Sequence, residues 1–458
     1  HKYSQKNRRL TFACLLLSGL LSACDSNTLA PDVDANASGH TSASSSTIAA
    51  NQSVLDEVQQ FSPLDFEQAR RGLITSDPAL QVKGPEGNVI FDQTAYQFIK
   101  GEAPASVNPS LWRQEKLNNI HGLFKVTDGV YQLRGHDLAN MTLIEGKTGW
   151  IVVDPLSAKE TTERAMALAT QQLGDRPITA IIFTHSHVDH FGGVLGLVSA
   201  EQVANEQISI VAPEGFMAEV TSENVLAGTT MGRRLGFAYG KWLSRDERGH
   251  IGNGLGKSIP VGSIGVLPPT IIVDRTPQKM QLDGVDFIFQ NVPGSEAPAE
   301  LTFYLPKHKA FCGAELVSRN MHNVYTLRGA KVRDALAWSQ YIQQSLTLFS
   351  EADIYFASHH WPIWGNEAVN TFLKQQRDTY KYIHDQTLRL ASRGATPSEI
   401  AEQIQLPESL SATASSRGYY GTLKHNARAV YQYYFGWFDA NPAHLNPLPT
   451  VDRSQRYV

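Results

Sequence analysis

The chain has 458 residues, of which 42% are hydrophobic, and this length is enough for one large globular domain and at least one smaller unit. Its 40 basic and 44 acidic residues give a formal net charge of -4, and neither sign forms a long run. This balance gives no indication of a nucleic-acid partner, because proteins that bind nucleic acids concentrate lysine and arginine on one face.

The N-terminal 24 residues have the pattern of an export signal. Four lysines and arginines within the first nine residues precede a mostly apolar stretch over residues 10–21, which is too short to span a membrane comfortably. The segment ends in Leu21-Ser22-Ala23-Cys24, which is similar to a bacterial lipobox, in which the cysteine is lipidated and becomes the first mature residue. We expect an exported protein, periplasmic or anchored to a bacterial membrane by a lipid on Cys24; the alternative is an ordinary cleaved signal with an incidental cysteine.

Residues 25–53 are rich in Ala, Ser, Thr, Asn and Asp, which predicts a flexible tether. A short helix is predicted within residues 61–72. The chain has three cysteines, and two of them, Cys14 and Cys24, lie in the signal region. Cys312 is therefore left alone, so we expect the exported protein to fold without disulfides.

Short apolar segments bounded by turn residues predict strands along the first half of the chain. They cover residues 89–91, 130–133, 141–144, 149–154 and 178–183. A helix is predicted over residues 159–173, where Ala165, Leu168, Ala169 and Leu173 recur at helical spacing. Strands followed by helix, strand and loop predict a layered α/β arrangement with functional groups at the strand ends.

The second half repeats this pattern and then becomes helical. Strands are predicted at 208–212, in a hairpin over 280–289 turned at Asp283-Gly284, and at 301–305, 309–312 and 354–357, with a helix over 332–349. Residues 219–269 form a long insert that contains Gly252-Asn253-Gly254-Leu255-Gly256, which we interpret as a loop because no strand and helix frame it as a phosphate site. From residue 369 onward, helices at 372–391, 397–404 and 427–437 predict a separate all-helical unit.

The segment from Thr184 to Gly193 is the strongest functional signal. It follows a buried strand, leads into a predicted helix start at residues 194–198, and contains His185, His187, Asp189 and His190. Three imidazoles and a carboxylate in this arrangement suit two metal ions held side by side, with zinc favoured and manganese or iron also admissible. The alternative is a polar turn that happens to be rich in histidine.

Two metal ions need more ligands than this segment supplies. The candidates are acidic and histidine residues that follow later predicted strands, namely Glu296, Glu300, Glu315, His359 and His360. A single glutamate in a loop is more often a solvated surface group, but the recurrence of these residues at strand ends favours a site.

Several segments together resemble a known family. Residues 184–193 are similar to the metal loop of the metallo-β-lactamase fold, and residues 108–114, 139–142, 293–300, 323–329 and 417–422 resemble the zinc-dependent alkylsulfatases of that superfamily, which hydrolyse dodecyl sulfate and related esters. The resemblance extends from about residue 63 to the end. It implies an α/β fold, a metallo-β-lactamase αββα sandwich over residues 54–368, followed by an all-helical dimerisation domain over residues 369–458 that forms a homodimer.

The resemblance also implies a ligand set for two Zn²⁺ ions per chain. One zinc would be held by His185, His187 and Glu296, and the other by Asp189, His190 and His360. Glu315 would bridge the two ions, which leaves Glu300 in a supporting role. A water activated by both zinc ions would then be the nucleophile.

The resemblance places the sulfate end of the substrate against Asn323, Tyr325, Arg328 and Arg333. Arginine's planar fork matches sulfate oxygens, although a single arginine more often forms a surface ion pair. Candidates for the general acid are His322, His359 and His425, and none is preferred. The sequence does not decide between C–O and S–O cleavage.

The expected function is hydrolysis of alkyl sulfate esters to an alcohol and inorganic sulfate. The alternatives are another dizinc hydrolase of the same fold, a lactamase or phosphodiesterase, and a non-catalytic exported zinc-binding protein. Full-length members of the family also carry a C-terminal sterol-carrier-like domain, and this chain stops at Val458 before such a domain. We therefore expect that the chain is truncated within the helical domain.

Overall fold

The computed structural model describes residues 34–206 and 208–458, so the predicted signal segment lies outside the described residues. The chain divides into two compact units, one ending at Ser42 and the other covering Ala43–Val458. In the described part of the first unit, Ala35 and Thr41 form an isolated antiparallel bridge. No helix of the described ranges is long and apolar enough to cross a bilayer.

The second unit contains strands at the predicted segments and five further strands that were not predicted, at residues 73–75, 81–83, 122–127, 271–273 and 363–364. They are β1 (Leu73–Thr75), β2 (Gln81–Lys83), β3 (Val89–Asp92), β4 (Gly122–Thr127), β5 (Val130–Arg134), β6 (Met141–Glu145), β7 (Trp150–Val153), β8 (Ile178–Ile182), β9 (Ser209–Pro213), β10 (Ile271–Val273), β11 (Gln278–Leu282), β12 (Val285–Asn291), β13 (Leu301–Leu305), β14 (Ala310–Cys312), β15 (Ile354–Phe356) and β16 (Ile363–Trp364).

The helices are distributed along the whole unit. They are α1 (Ser45–Gln52), α2 (Leu55–Gln59), α3 (Leu64–Arg70), α4 (Pro109–Asn118), α5 (Lys159–Leu173), α6 (Ala200–Glu206), α7 (Phe216–Thr221), α8 (Gly228–Tyr239), α9 (Ala335–Leu348), α10 (Asn366–Ala391), α11 (Pro397–Gln403), α12 (Glu408–Ser411), α13 (Leu423–Phe435), α14 (Pro442–Leu445) and α15 (Thr450–Tyr457).

Two mixed sheets face each other across an apolar core. One has the order β1-β4-β5-β6-β7-β8-β9-β10 and the other β11-β12-β13-β14-β15-β16. Ile144, Ile151 and Ile182 of the first sheet pack against Phe287 and Phe303 of the second within one buried cluster. Burial of these side chains is the main force holding the sheets together, because each fully buried large apolar side chain contributes about 2 kcal/mol.

Helices cover the outer face of each sheet. Ala165 and Leu168 of α5 pack on Leu143 and Val152 of the first sheet. On the second sheet, α9, α10 and α13 form one cluster with the strands, in which Trp338 of α9 stacks on Tyr380 of α10 with ring centroids 4.4 Å apart. This helix–sheet–sheet–helix order confirms the predicted αββα sandwich, and the C-terminal elements from α10 onward are helical as predicted.

Three local predictions differ from the structure. Residues 194–198 form only a 3₁₀ turn over Val194–Gly196, where an added Cβ at Gly193 or Gly196 would lie 2.2 Å from the Pro155 carbonyl or 2.6 Å from the Lys159 carbonyl. The 219–269 insert, in which no helix was predicted, contains the helix α8, whose glycines and arginines masked its helical pattern; residues 252–256 are a loop as predicted. The predicted tether over residues 25–53 contains α1, which starts at the side-chain cap of Ser44.

Candidate metal centre

The predicted ligands come together at one edge of the sandwich because each follows a strand. The segment from His185 to His190 follows β8, Glu296 follows β12, Glu315 follows β14, and His359 follows β15. An isolated bridge between His185 and Glu300 joins the loops after β8 and β12 across the two sheets.

The first group of donors is His185, His187, Glu296 and Glu315. Glu296 Oε2 lies 2.9 Å from His187 Nδ1 and 3.3 Å from His185 Nε2, and His185 Nε2 is also 3.3 Å from Glu315 Oε2. All four residues are buried. Two imidazoles and two carboxylates within these distances form a donor set that suits a divalent cation such as zinc.

The second group is Asp189, His190, Glu315 and His359. His190 Nε2 lies 3.2 Å from both Asp189 Oδ2 and Glu315 Oε2, and His359 Nε2 lies 3.2 Å from the same Glu315 oxygen. Within each group the donor atoms lie within 4.8 Å of one another. Glu315 belongs to both groups, so its carboxylate has the position of a bridge.

The donor atoms themselves fit a bound cation. Nε2 of His185, His190 and His359 and Oε2 of Glu296 are buried, and none forms a hydrogen bond within the described part of the chain. Buried polar atoms are otherwise almost always satisfied, because leaving one without a partner costs about 1–3 kcal/mol. A metal cluster at these atoms removes that cost, so the residues fit the group that the fold implies.

The structure corrects the prediction that His360 is a metal ligand. Nδ1 of His360 accepts a hydrogen bond from the backbone N–H of Arg319 at 3.2 Å, and Nε2 donates to the carbonyl of Gly254 at 2.9 Å. Both ring nitrogens are therefore used away from the cluster. The left-handed backbone of His360, with φ of 62°, turns its side chain away, and the preceding residue, His359, enters the second group instead.

Asp154 and Glu300 hold the ligands in place from behind. Asp154 accepts hydrogen bonds from His190 Nδ1 at 2.9 Å and from Ser358 Oγ at 2.6 Å, which fixes the orientation of the His190 ring. Glu300 accepts from the backbone N–H of Glu296 at 3.0 Å and of Glu315 at 3.2 Å, as the predicted supporting role requires. Burial raises the pKa of Glu300 to about 7.

The carboxylates of the cluster are held in their ionised form. Burial alone raises the pKa of Glu296, but the Arg333 guanidinium and His187 outweigh it and bring the pKa below the usual range. Burial is likewise outweighed at Asp189, whose pKa is lowered by His190. Ionised oxygens are the form that binds a cation.

The predicted sulfate-binding residues divide into two sets. Arg333 is buried, donates from Nη1 to the Asn323 carbonyl at 2.7 Å, and contacts Glu296 through Nη2. Arg328 instead pairs with Glu223 at 3.2 Å, and Glu223 Oε2 lies 3.5 Å from His187 Nε2. Both arginines are thus joined to the first donor group by one carboxylate each.

The remaining predicted site residues lie at different distances from the metal centre. Nε2 of His322 lies 2.9 Å from Glu315 Oε1, so this histidine adjoins the centre. Tyr325 is half-buried and packs against the cluster that contains Trp338. His425 is exposed on α13, so its prediction as a general acid is not supported, and His359 belongs to the donor group rather than to a proton-transfer role.

Three residues beside the centre, Glu223, Tyr239 and Tyr420, are not predicted from the sequence. Glu223 lies in the insert, where no motif distinguishes it from other surface acids. Tyr239 and Tyr420 join their hydroxyls at 2.7 Å, and the Tyr420 ring lies 5.0 Å from that of His322. Burial raises the pKa of Tyr420 to about 12. A signal for Tyr420 existed, since it lies within residues 417–422, one of the segments that resemble the family.

Comparison with known proteins places the chain in a family. Residues 134–280 match the family model of the metallo-beta-lactamase superfamily, and residues 396–458 match that of alkyl sulfatase dimerisation. The chain is 47% identical over 419 residues to a linear primary-alkylsulfatase of Pseudomonas sp, covering 91% of this chain and 62% of that protein. It is 47% identical over 415 residues to the alkyl/aryl-sulfatase BDS1 of Saccharomyces cerevisiae, covering 90% of this chain and 64% of that protein.

A solved structure shows the same fold over most of the chain. The stereoselective inverting sec-alkylsulfatase Pisa1 from Pseudomonas sp. superposes with a TM-score of 0.89 at 41% identity, covering 92% of this chain and 67% of that one. The chain spans a little under two thirds of the length of the two curated relatives, 62% and 64%.

Proposed function

The chain belongs to the alkylsulfatases of the metallo-β-lactamase superfamily, and we propose on this basis that it hydrolyses alkyl sulfate esters to an alcohol and inorganic sulfate. The observation that carries the proposal is the pair of donor groups that share Glu315, with two arginines attached to one of them. The two donor groups supply a hydrolytic centre, and the two arginines supply recognition of an anion.

We propose two zinc ions for this centre. His185, His187 and Glu296 hold one, Asp189, His190 and His359 hold the other, and Glu315 contacts both. Zinc in such a position lowers the pKa of a water towards neutrality, which makes a nucleophile available at physiological pH. The chain contributes the orientation of each donor, through Asp154 for His190 and Glu300 for the two glutamates.

Arg328 and Arg333 recognise the sulfate group of the substrate. Arg328 is the more accessible of the two, with 14% of its side chain exposed, and Glu223 holds its guanidinium near His187. Its Nη1 also donates to the Gly329 carbonyl at 2.8 Å, and the other N–H groups of the planar guanidinium can donate to two oxygens of the tetrahedral sulfate group. Arg333 places its charge at Glu296, where it stabilises the ionised carboxylate and the negative charge of a bound ester.

Assembly and location are proposed from the same sources. Residues 396–458 match a dimerisation family, which supports a homodimer built through the C-terminal helices. The sequence pattern over residues 1–24 supports export to the periplasm and a lipid on Cys24.

Sulfate release from a substrate panel tests the function. The purified chain, with its metal content measured in the same preparation, is incubated with octyl and dodecyl sulfate, a β-lactam and a phosphodiester. We expect inorganic sulfate from the alkyl sulfates and little turnover of the others. A preparation with two zinc ions per chain that releases no sulfate from any alkyl sulfate contradicts the proposal, and turnover of the β-lactam or phosphodiester alone assigns a different hydrolase.

A further inference from the structure

A glycine-rich loop (residues 252–257, here the glycine loop) lies buried beside the turn that carries His359 and His360. The carbonyl of Gly254 in this loop accepts hydrogen bonds from four side chains, from Gln114 and Asn118 at 3.3 Å, Asn320 at 3.4 Å and His360 at 2.9 Å. These contacts restrain the position of the Gly254 carbonyl, because moving it would leave several buried polar groups without a hydrogen-bond partner.

A buried ion pair fixes the position of the glycine loop. Lys257 Nζ lies 2.7 Å from Glu115 Oε2 and 2.8 Å from the Glu115 carbonyl, and the side chains are 2% and 0% exposed. The other oxygen of Glu115 accepts from the backbone N–H of Gly254 at 2.7 Å. Glu115 lies on α4, so this pair connects the carbonyl of Gly254 to a rigid helix.

The glycines of the loop are required by this packing. At Gly252, with φ of 140°, an added Cβ would lie 2.1 Å from Glu115 Oε2, and at Gly254, with φ of 85°, it would lie 2.4 Å from Tyr419 Cβ. A side chain at Gly252 would push the backbone away from α4, and one at Gly254 would push it away from Tyr419. The motif that resembled a phosphate loop is therefore a close-packed support for the turn that contains His360.

His360 transmits this support to the metal centre. Its ring is held on both sides by backbone groups, Nδ1 by the N–H of Arg319 and Nε2 by the carbonyl of Gly254. The preceding residue, His359, points its Nε2 at Glu315 Oε2, 3.2 Å away, and at Asp189 Oδ2, 3.6 Å away. His359 and His360 are adjacent in the chain, so the contacts that fix the His360 ring also restrain the backbone from which His359 extends.

We propose that Glu115, Lys257 and the glycine loop are positioning residues for the second donor group (Asp189, His190, Glu315 and His359), and that they act through His360. This inference rests on the proposed two-metal centre. It predicts a selective effect: loss of the ion pair weakens the second metal position and leaves the first, formed by His185, His187 and Glu296, as it was. Contacts that orient a ligand typically change metal affinity by about 10- to 100-fold when removed.

The test compares the unsubstituted chain with Lys257→Met and with Glu115→Gln, a change that keeps the size of the side chain but removes its charge and one of its two acceptor oxygens. Zinc per chain is followed during a timed challenge with a chelator, and the cobalt-substituted proteins are compared by their visible absorption. Asp189→Ala provides the reference spectrum for a chain that lacks the second position. Gln290→Met is the matched control, because Gln290 is also buried and accepts from Thr302 at 3.0 Å and Ser345 at 2.7 Å between β12, β13 and α9.

We expect wild type to hold two metal ions and both ion-pair variants to lose one of them roughly 10-fold faster or more, with the Asp189→Ala spectrum remaining. The Gln290→Met chain should lose its two ions at wild-type rates even if it melts at a lower temperature. Ion-pair variants that release both ions at wild-type rates, or that release both ions equally faster than wild type, overturn the inference. A wild-type chain that binds fewer than two ions instead contradicts the proposed two-metal function.

Discussion

Adjacent histidines are the residues at which sequence and structure differ most. His359 and His360 have the same chemistry and follow the same strand, so their order in the chain does not show which one faces the centre. The left-handed φ of 62° at His360 and the hydrogen bond from its Nε2 to Gly254 decide it, and both depend on a loop more than a hundred residues earlier. The contiguous segment from His185 to His190, in contrast, could be assigned from its spacing alone.

Substitution at this pair tests the correction. His359→Ala removes a donor from the second group, so we expect zinc to fall from two ions to one and sulfate release to be lost. His360→Gln keeps an amide donor for the Gly254 carbonyl, so it should retain two zinc ions. Metal analysis of the two purified variants distinguishes the residues, and the reverse pattern would restore His360 as the ligand.

The two arginines should respond differently to removal of their charge. Arg328 pairs with Glu223, which is not one of the metal-binding residues, so Arg328→Met should leave the zinc content unchanged. The Michaelis constant for an alkyl sulfate should rise roughly 30-fold, which corresponds to the loss of a charged hydrogen bond of about 2 kcal/mol. Arg333→Met removes the cation from Glu296, so zinc should be lost as well. Equal zinc loss in both variants would contradict the separate roles.

Elements with a regular buried pattern were predicted well. The helix at Lys159–Leu173 and the hairpin turned at Asp283-Gly284 show helical spacing and turn chemistry in their own residues, which is why the sandwich could be inferred. The helix α8 could not be predicted in this way, because it is rich in glycine and arginine and only two of its twelve residues, Gly236 and Tyr239, are buried. Glu223 also lies in this insert and could not be predicted, because its contacts with His187 and Arg328 depend on how the insert folds over the centre.

The glycine loop gives a stability prediction at the scale of an element. Gly252→Ala adds backbone strain and a contact with Glu115, whereas Gly174→Ala, at a φ of 88° with nothing within 4 Å of the added Cβ, adds backbone strain alone. We expect the free energy of unfolding to fall by about 2 kcal/mol more in the first variant than in the second. Denaturant titrations of both measure the difference, and equal losses would show that the loop has room to move.

At the scale of the whole molecule, a buried histidine should make stability depend on pH. Burial lowers the pKa of His136 to about 4, near His121, Asp77 and Arg164. The unfolded chain, with an ordinary histidine pKa of about 6.5, therefore binds a proton that the folded chain does not as the pH falls from 6.5 to 4. Stability from this group is complete above that window and lost within it, by about 2 kcal/mol between pH 7 and pH 5.

Denaturant titrations at pH 7 and pH 5 test this dependence in His136→Met. The variant should lose about 2 kcal/mol less than wild type on acidification. His425→Gln, which changes an exposed histidine on α13, is the control and should follow wild type. A His136→Met chain with the full wild-type loss would assign the acid sensitivity to other groups.

One centre, built from residues that follow four strands and completed by two metal ions, is proposed to hydrolyse sulfate esters. Its most direct test is a zinc titration of the metal-free chain, with sulfate released from octyl sulfate measured at each step. We predict that activity rises with zinc, reaches its plateau at two equivalents per chain, and is absent in His359→Ala at the same zinc level. Full activity at one equivalent, or no sulfate release at any zinc level, would contradict the account.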